Sequence, residues 1–172
     1  MPRQVVASLG LRTGNAAADI GAGSGYFSVR LAAAVGSEGR LYAVDVVEGL
    51  IDHLNERARE AGLNNLVGVL GALDDPRLDP ASVDLIFICD VVHHIENRRS
   101  YYDKLSKALR PGGRLAIVDF YKRDGRIGPP KAMRIAKTDM IAELAEAGFS
   151  LAEEFDFLPE QYFLVFQSGP KH

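Results

Sequence analysis

Ala18-Asp19-Ile20-Gly21-Ala22-Gly23-Ser24-Gly25-Tyr26-Phe27 is the stretch on which the fold turns. A small apolar run enters three alternate glycines, and a helix-period segment follows at once. Residues without a Cβ allow a sharp backbone reversal that can also lie close against a ligand. The helix beyond it aims free N–H groups at whatever fills the turn. Asp19, just ahead of the glycines, repels a pyrophosphate and suits a ligand that carries an amine or another cation. The turn therefore predicts a nucleotide-like ligand at the end of the first strand.

Working outward, short apolar strands alternate with helix-period segments along the whole chain, the pattern of an α/β protein with a mainly parallel sheet. A short helix ending near Leu9 precedes the first strand, 16–20. Helices are expected at 27–35, 49–61, 100–109 and 138–147, and further strands at 41–45, 66–70, 83–89 and 115–120. Val83–Cys89 is almost continuously apolar, as in a strand covered on both faces. Two last strands, 151–157 and 162–167, are joined by so short a link that they must be antiparallel neighbours. In such sheets ligands sit beyond the carboxyl ends of the parallel strands. That rim carries Asp19–Gly25, Asp45, Gly71–Asp75, Asp90–His94 and Asp119–Tyr121.

With 172 residues the chain is long enough for one domain with a substantial core. A formal charge of −3 gives no general attraction to nucleic acid or to an anionic membrane. No apolar run reaches the ~18 residues of a membrane span. The single cysteine, Cys89, cannot form an internal disulfide and reads as a small core residue. A cytoplasmic protein, monomeric or homodimeric, is expected. No His/Cys/Asp group has zinc-ligand spacing, so no metal is expected.

Five blocks, in order and at the expected separations, carry a resemblance: Asp19–Gly25, Val44-Asp45, Val83–Ile86, Val92-His93-His94-Ile95 and Leu109–Leu115. The chain resembles the class I S-adenosylmethionine-dependent methyltransferases of the type 11 group, similar to the ubiquinone/menaquinone-biosynthesis methyltransferases. The resemblance implies a Rossmann-like three-layer sandwich with a seven-stranded sheet in the order 3-2-1-4-5-7-6, strand seven antiparallel. It implies S-adenosylmethionine as cofactor, S-adenosylhomocysteine as product and a small-molecule acceptor. Asp19, Gly21, Ala22, Gly23, Gly25 and Tyr26 would hold the methionine moiety and approach the ribose. Asp45 would accept from the two ribose hydroxyls, with Val46 beside it. Leu50 would cover an adenine face, Ala72 and Leu73 would line its edge, and Asp74 or Asp75 would meet its amino group. The backbone of Asp90, or its side chain as well, would receive the methionine ammonium, with Val91 following. Relatives have one or two more helices before the first strand, so this single domain, 1–172, is expected to be short of part of the usual N-terminal cap.

Four residues are candidates for moving a proton from the acceptor: His94, His93, Asp119 and Glu160. For the two histidines the competing reading is that one ring anchors its loop by hydrogen bonding while the other faces outward. The stretch Lys122–Lys137 holds six Lys and Arg against one Asp and is broken by glycines and prolines. It predicts a long loop that closes over the acceptor and offers positive potential to an anionic group. Tyr121, Arg126, Lys131, Arg134 and Tyr162 are the expected acceptor rim. Two other readings of the chain are a cofactor-binding protein without catalysis and a nicotinamide-dinucleotide oxidoreductase. The latter would require its third glycine at position 26, which is Tyr.

Overall fold

The computed structural model describes residues 1–125 and 127–169. In chain order the elements are α1 (Pro2–Ser8), β1 (Ala16–Ile20), α2 (Ser28–Val35), β2 (Arg40–Asp45), α3 (Glu48–Glu60), β3 (Leu66–Leu70), β4 (Val83–Cys89), α4 (Arg98–Ala108), β5 (Leu109–Phe120), α5 (Lys137–Glu146), β6 (Phe149–Phe155) and β7 (Gln161–Ser168). The strands form one sheet in the order β3-β2-β1-β4-β5-β7-β6. β1 to β5 are mutually parallel where they pair, and β7 runs antiparallel to both β5 and β6. This is the expected order, and β6 consequently points the same way as the parallel strands. The link from β6 to β7 therefore returns to the rim where β1, β2 and β4 end.

The apolar run Leu85–Cys89 of β4 follows from its place at the middle of the sheet. Ile86 and Ile88 face one core cluster, with Tyr102 and Leu105 of α4 and Met140 and Leu144 of α5. Leu85 and Phe87 face the other, with Leu31 and Val35 of α2, Leu54 and Ala58 of α3, and Val5 and Leu9 from the first helix and its cap. Successive side chains of a strand point to opposite faces, so a strand buried on both sides has no polar position to spare. Two helical layers thus enclose the sheet.

Two strands differ from the sequence reading by more than one residue. β5 begins at Leu109 rather than 115, because Leu109 pairs with Val83 and the chain then bulges before Arg114 pairs with Leu85. Arg110-Pro111-Gly112-Gly113, expected only to stop a helix, is taken up in that bulge, with Gly112 at φ +77°. β6 begins and ends two residues early. Gly148 at φ +86° reverses the chain so that Phe149 enters the core at once.

Candidate functional site

The turn after β1 is shaped by three glycines that serve different ends. All have positive φ: +71° at Gly21, +54° at Gly23 and +80° at Gly25. A Cβ on Gly21 would lie 2.3 Å from a Val91 methyl, and one on Gly25 would lie 2.5 Å from a Leu54 methyl. Those two positions let the turn pack against β4's exit and α3. A Cβ on Gly23 would meet no side chain, only the Gly21 carbonyl at 4.0 Å. Gly23 therefore presents bare backbone to open space, the cradle a close-lying ligand needs. Backbone bonds from Gly21 and Ala22 to the Val44 carbonyl (2.8 and 3.0 Å) bind the turn to β2.

Asp45 ends β2 with its carboxylate turned toward this cradle. It accepts from Gly23 N at 2.9 Å and Val47 N at 3.1 Å. A carboxylate offers roughly four lone-pair positions, so about two remain for a ligand. Beyond β3, Ala72 and Asp75 exchange backbone bonds of 2.7 and 3.1 Å in a tight turn that leaves Leu73 outermost. Together these segments wall a cavity of about 250 Å³. Gly21, Asp45, Val46, Ala72, Leu73, Val91 and His94 were expected at the site and line it. Ile20, Val44, Ile95 and Tyr101 line it as well. Tyr101 reaches it from α4.

Three residues expected around an adenine stand elsewhere. Asp74 is 80% exposed and lies 3.6 Å from Lys104, which holds it on the outer side of its turn. Asp75 is also drawn outward: its carboxylate accepts from Arg77 N at 2.7 Å, a bond that holds its pKa below the usual carboxylate value. Leu50, on the first turn of α3, is half-buried and outside the cavity wall, where Val46 takes the corresponding place.

Asp19 lies near the end of β1, just ahead of the glycine turn. It is 3% exposed and accepts from Ser28 Oγ at 2.6 Å. Burial raises its pKa to about 6; the Ser28 bond opposes the rise and the nearby Asp45 charge adds to it. Asp90 follows β4 in the left-handed region, at φ +57°, and its side chain meets Gln161. Burial raises its pKa too. Asp90, Gln161, Tyr26 and Cys89 line a second hollow of about 300 Å³. Burial pushes the Cys89 thiol far up, so it is not a nucleophile.

The two histidines have different surroundings. His93 Nδ1 lies 3.2 Å from Asp119 Oδ1, and both side chains are buried. His94 is exposed beside the cavity, with its ring centroid 4.2 Å from that of His93. His93 anchors the turn and His94 faces outward. Glu160 is occupied by Arg123, at 3.6 Å.

The basic loop is built otherwise than its composition suggested. Arg134 is 3% exposed, and its guanidinium donates to the carbonyls of Pro129 (2.8 Å), Tyr121 (3.1 Å), Arg123 (2.8 Å) and Ile127 (2.7 Å) while lying over the Phe120 ring. It organises the loop and offers no charge to a ligand. Lys131 is paired with Asp124 at 3.1 Å. Tyr162 is fully buried, its hydroxyl 3.3 Å from the Ile135 carbonyl, so it belongs to the core and not to the rim. Tyr121 packs edge-on against it and is half-buried. Arg126 lies outside the described residues. Among the described residues no group of three or more His, Cys, Asp or Glu could hold a metal ion, and no helix is long and apolar enough to cross a membrane.

Residues 18–115 match the family model described as a methyltransferase domain. The chain belongs to that family. It is 32% identical over 114 residues to the 27-O-demethylrifamycin SV methyltransferase of Amycolatopsis mediterranei, covering 65% of this chain and 41% of that protein. It is 24% identical over 166 residues to the ubiquinone/menaquinone biosynthesis C-methyltransferase UbiE of a Marinomonas species, covering 92% of this chain and 66% of that protein. A crystal structure of a SAM-dependent methyltransferase from Aquifex aeolicus superposes with a TM-score of 0.91 at 25% identity, over 96% of this chain and 88% of that one. The chain thus spans from about two fifths to just under two thirds of the length of these two curated relatives. Membership of the methyltransferase-domain family implies S-adenosylmethionine as the cofactor.

Proposed function

We propose that this chain binds S-adenosylmethionine across the glycine turn and transfers its methyl group to a small-molecule acceptor by direct displacement. The observation that carries the reading is the pairing of Gly23 and Asp45. Bare backbone faces open space, and beside it a carboxylate fixed by two N–H groups keeps about two acceptor positions for a sugar diol. The rest of the cavity wall is mostly apolar (Val44, Val46, Ala72, Val91, Ile95), which suits a purine ring. Asp19, Asp45 and Asp90 surround the turn with acids, a poor setting for a dinucleotide's pyrophosphate.

The bound cofactor supplies a methyl group on a positively charged sulfur, already activated toward attack. What falls to the protein is orientation and exclusion of water, which in favourable systems supply ~7–11 kcal/mol. The glycine turn and Asp45 would hold the cofactor while its methyl carbon goes to the acceptor's lone pair, and the electrons of the broken carbon–sulfur bond would stay on sulfur as a neutral thioether. An O–H or N–H acceptor also gives up a proton. Of the four candidate bases, His94 is the one with an exposed ring on the cavity wall. His93 and Asp119 are engaged with each other, and Glu160 with Arg123.

Calorimetry tests the reading. S-adenosylhomocysteine is expected to bind, and Asp45→Ala to weaken it by about tenfold or more, the loss of charge-assisted bonds to the diol. Unchanged affinity in Asp45→Ala, or binding of a nicotinamide dinucleotide in preference, refutes the assignment. Formation of S-adenosylhomocysteine from S-adenosylmethionine on addition of small-molecule acceptors separates an enzyme from a protein that binds the cofactor without using it.

A further inference from the structure

Gln161 opens β7, and its side-chain amide nitrogen donates to both oxygens of Asp90, at 2.7 and 2.9 Å. The sheet makes this meeting. Gln161 pairs with Phe120 at the end of β5, and Asp90, one residue beyond β4, donates its own N–H to the Val118 carbonyl at 2.9 Å. The left-handed backbone at Asp90, which few residues other than glycine adopt, is held from both sides.

Asp90 and Gln161 both line the second hollow, whose remaining wall is mainly apolar: Val5, Phe27, Val118 and Leu158 among others. Among the described residues, Asp90 carries the only charged side chain on that wall. A half-buried carboxylate in such surroundings is a costly arrangement unless a donor or a cation completes it. Gln161 supplies donors without supplying charge. A Lys or Arg in its place would orient the carboxylate and also neutralise it. An amide orients it and leaves its full negative charge available.

We propose that Gln161 is a positioning residue that fixes Asp90 as an unneutralised acceptor for an ammonium group bound in this hollow. The proposal rests on the methyl-transfer reading for its first source of ammonium, the amino-acid end of the cofactor. An amine on the methyl acceptor is the second source.

The position carries a pH signature. Burial raises the Asp90 pKa and the Gln161 bond lowers it, so removing Gln161 raises it further. The titratable groups around Asp90 are Cys89 on β4, Asp119 on β5, His93 on the turn after β4, Tyr26 beyond the glycine turn and the α-amino group of Met1 at the hollow's edge; Asp19 on β1 acts on the same thiol. An ammonium ligand held by ionised Asp90 is released as pH falls through the Asp90 pKa. In Gln161→Leu that release moves to higher pH.

Two nucleosides isolate the effect. S-adenosylhomocysteine and 5′-methylthioadenosine share the thioether nucleoside, and only the first has an amino-acid end. For the full chain in calorimetry, Gln161→Leu is expected to weaken S-adenosylhomocysteine about tenfold and leave 5′-methylthioadenosine unchanged. Its acid-side loss of S-adenosylhomocysteine should move to higher pH. Gln161→Glu, which sets carboxyl against carboxyl, should move it further still. If the ammonium comes from the acceptor, S-adenosylhomocysteine holds its affinity while n-butylamine binding to the saturated protein weakens tenfold. The proposal is overturned if no probe loses affinity, if both nucleosides weaken together, or if affinity falls with the pH profile fixed. Failure of the methyl-transfer reading shows separately, as a wild-type chain that binds neither nucleoside; the butylamine titration then decides the role of Gln161 alone.

Discussion

Asp19, near the end of β1 ahead of the glycine turn, has its carboxylate buried and its pKa raised from 3.8 to about 6. Asp19→Asn removes the charge while keeping an oxygen that can accept from Ser28 Oγ, now 2.6 Å away. A carboxyl whose folded pKa exceeds its unfolded value favours the folded state fully below the unfolded value, and that contribution is lost as pH rises through the folded one. At pH 8 the ionised side chain weighs against folding by about 3 kcal/mol, two pKa units and a little more at 1.36 kcal/mol each. At pH 4, close to the unfolded value of 3.8, the unfolded carboxyl is only partly ionised and the penalty is below about 1 kcal/mol. Asp19→Asn is therefore expected to gain about 2 kcal/mol more relative to wild type at pH 8 than at pH 4. Any pH-independent effect of the substitution, such as a weaker bond to Ser28, shifts both measurements alike and drops out of the difference. Urea unfolding of both proteins at the two pH values reads it directly. A stability difference between them that is flat from pH 4 to pH 8 refutes the argument that desolvation governs this carboxyl. With the expected difference, the wild-type acid is a case of stability given up at a binding site, and the variant should bind S-adenosylhomocysteine more weakly.

The glycine turn separates packing from binding. Gly25→Ala, with φ +80° and a Leu54 methyl 2.5 Å from the new Cβ, should destabilise the fold by more than about 2 kcal/mol in urea unfolding. Gly23→Ala has only the left-handed backbone against it, about 1–2 kcal/mol, and should instead abolish most S-adenosylhomocysteine affinity in calorimetry. Equal stability losses for the two would contradict the distinction. Arg134→Met keeps the apolar stem but orphans four carbonyls, so the backbone amides of the segment flanked by Tyr121 and Ile135 should lose protection in hydrogen exchange. Exchange there at the wild-type rate would show that the loop does not depend on the guanidinium.

The sheet was legible because its signals are local and redundant. Strand β4 declares its double-sided burial in seven consecutive residues, and β3 and β4 lie where their apolar runs place them. The glycine turn, Asp45 and the small residues after β3 were legible because they sit at strand ends, whose direction is set once the sheet is parallel. Charge pattern was a poorer guide. Six cations in the loop from Lys122 to Lys137 read as a positive lid, yet Arg134 is enclosed by carbonyls of its own loop, and Lys131 is paired with Asp124. An arginine's stem and five donors can serve a buried backbone as readily as a ligand, and only the path of the chain decides which. Asp74 likewise had the right residue type and the wrong side of its turn.

From the sequence alone come the parallel α/β sheet, its glycine cradle and the carboxylate beside it, since periodicity and turn chemistry act over a few residues. The tertiary structure alone brings Gln161 to Asp90, 71 positions away, buries Arg134 and Tyr162, and sets His93 against Asp119. Those meetings depend on strand register and loop closure, which no short window of residues contains.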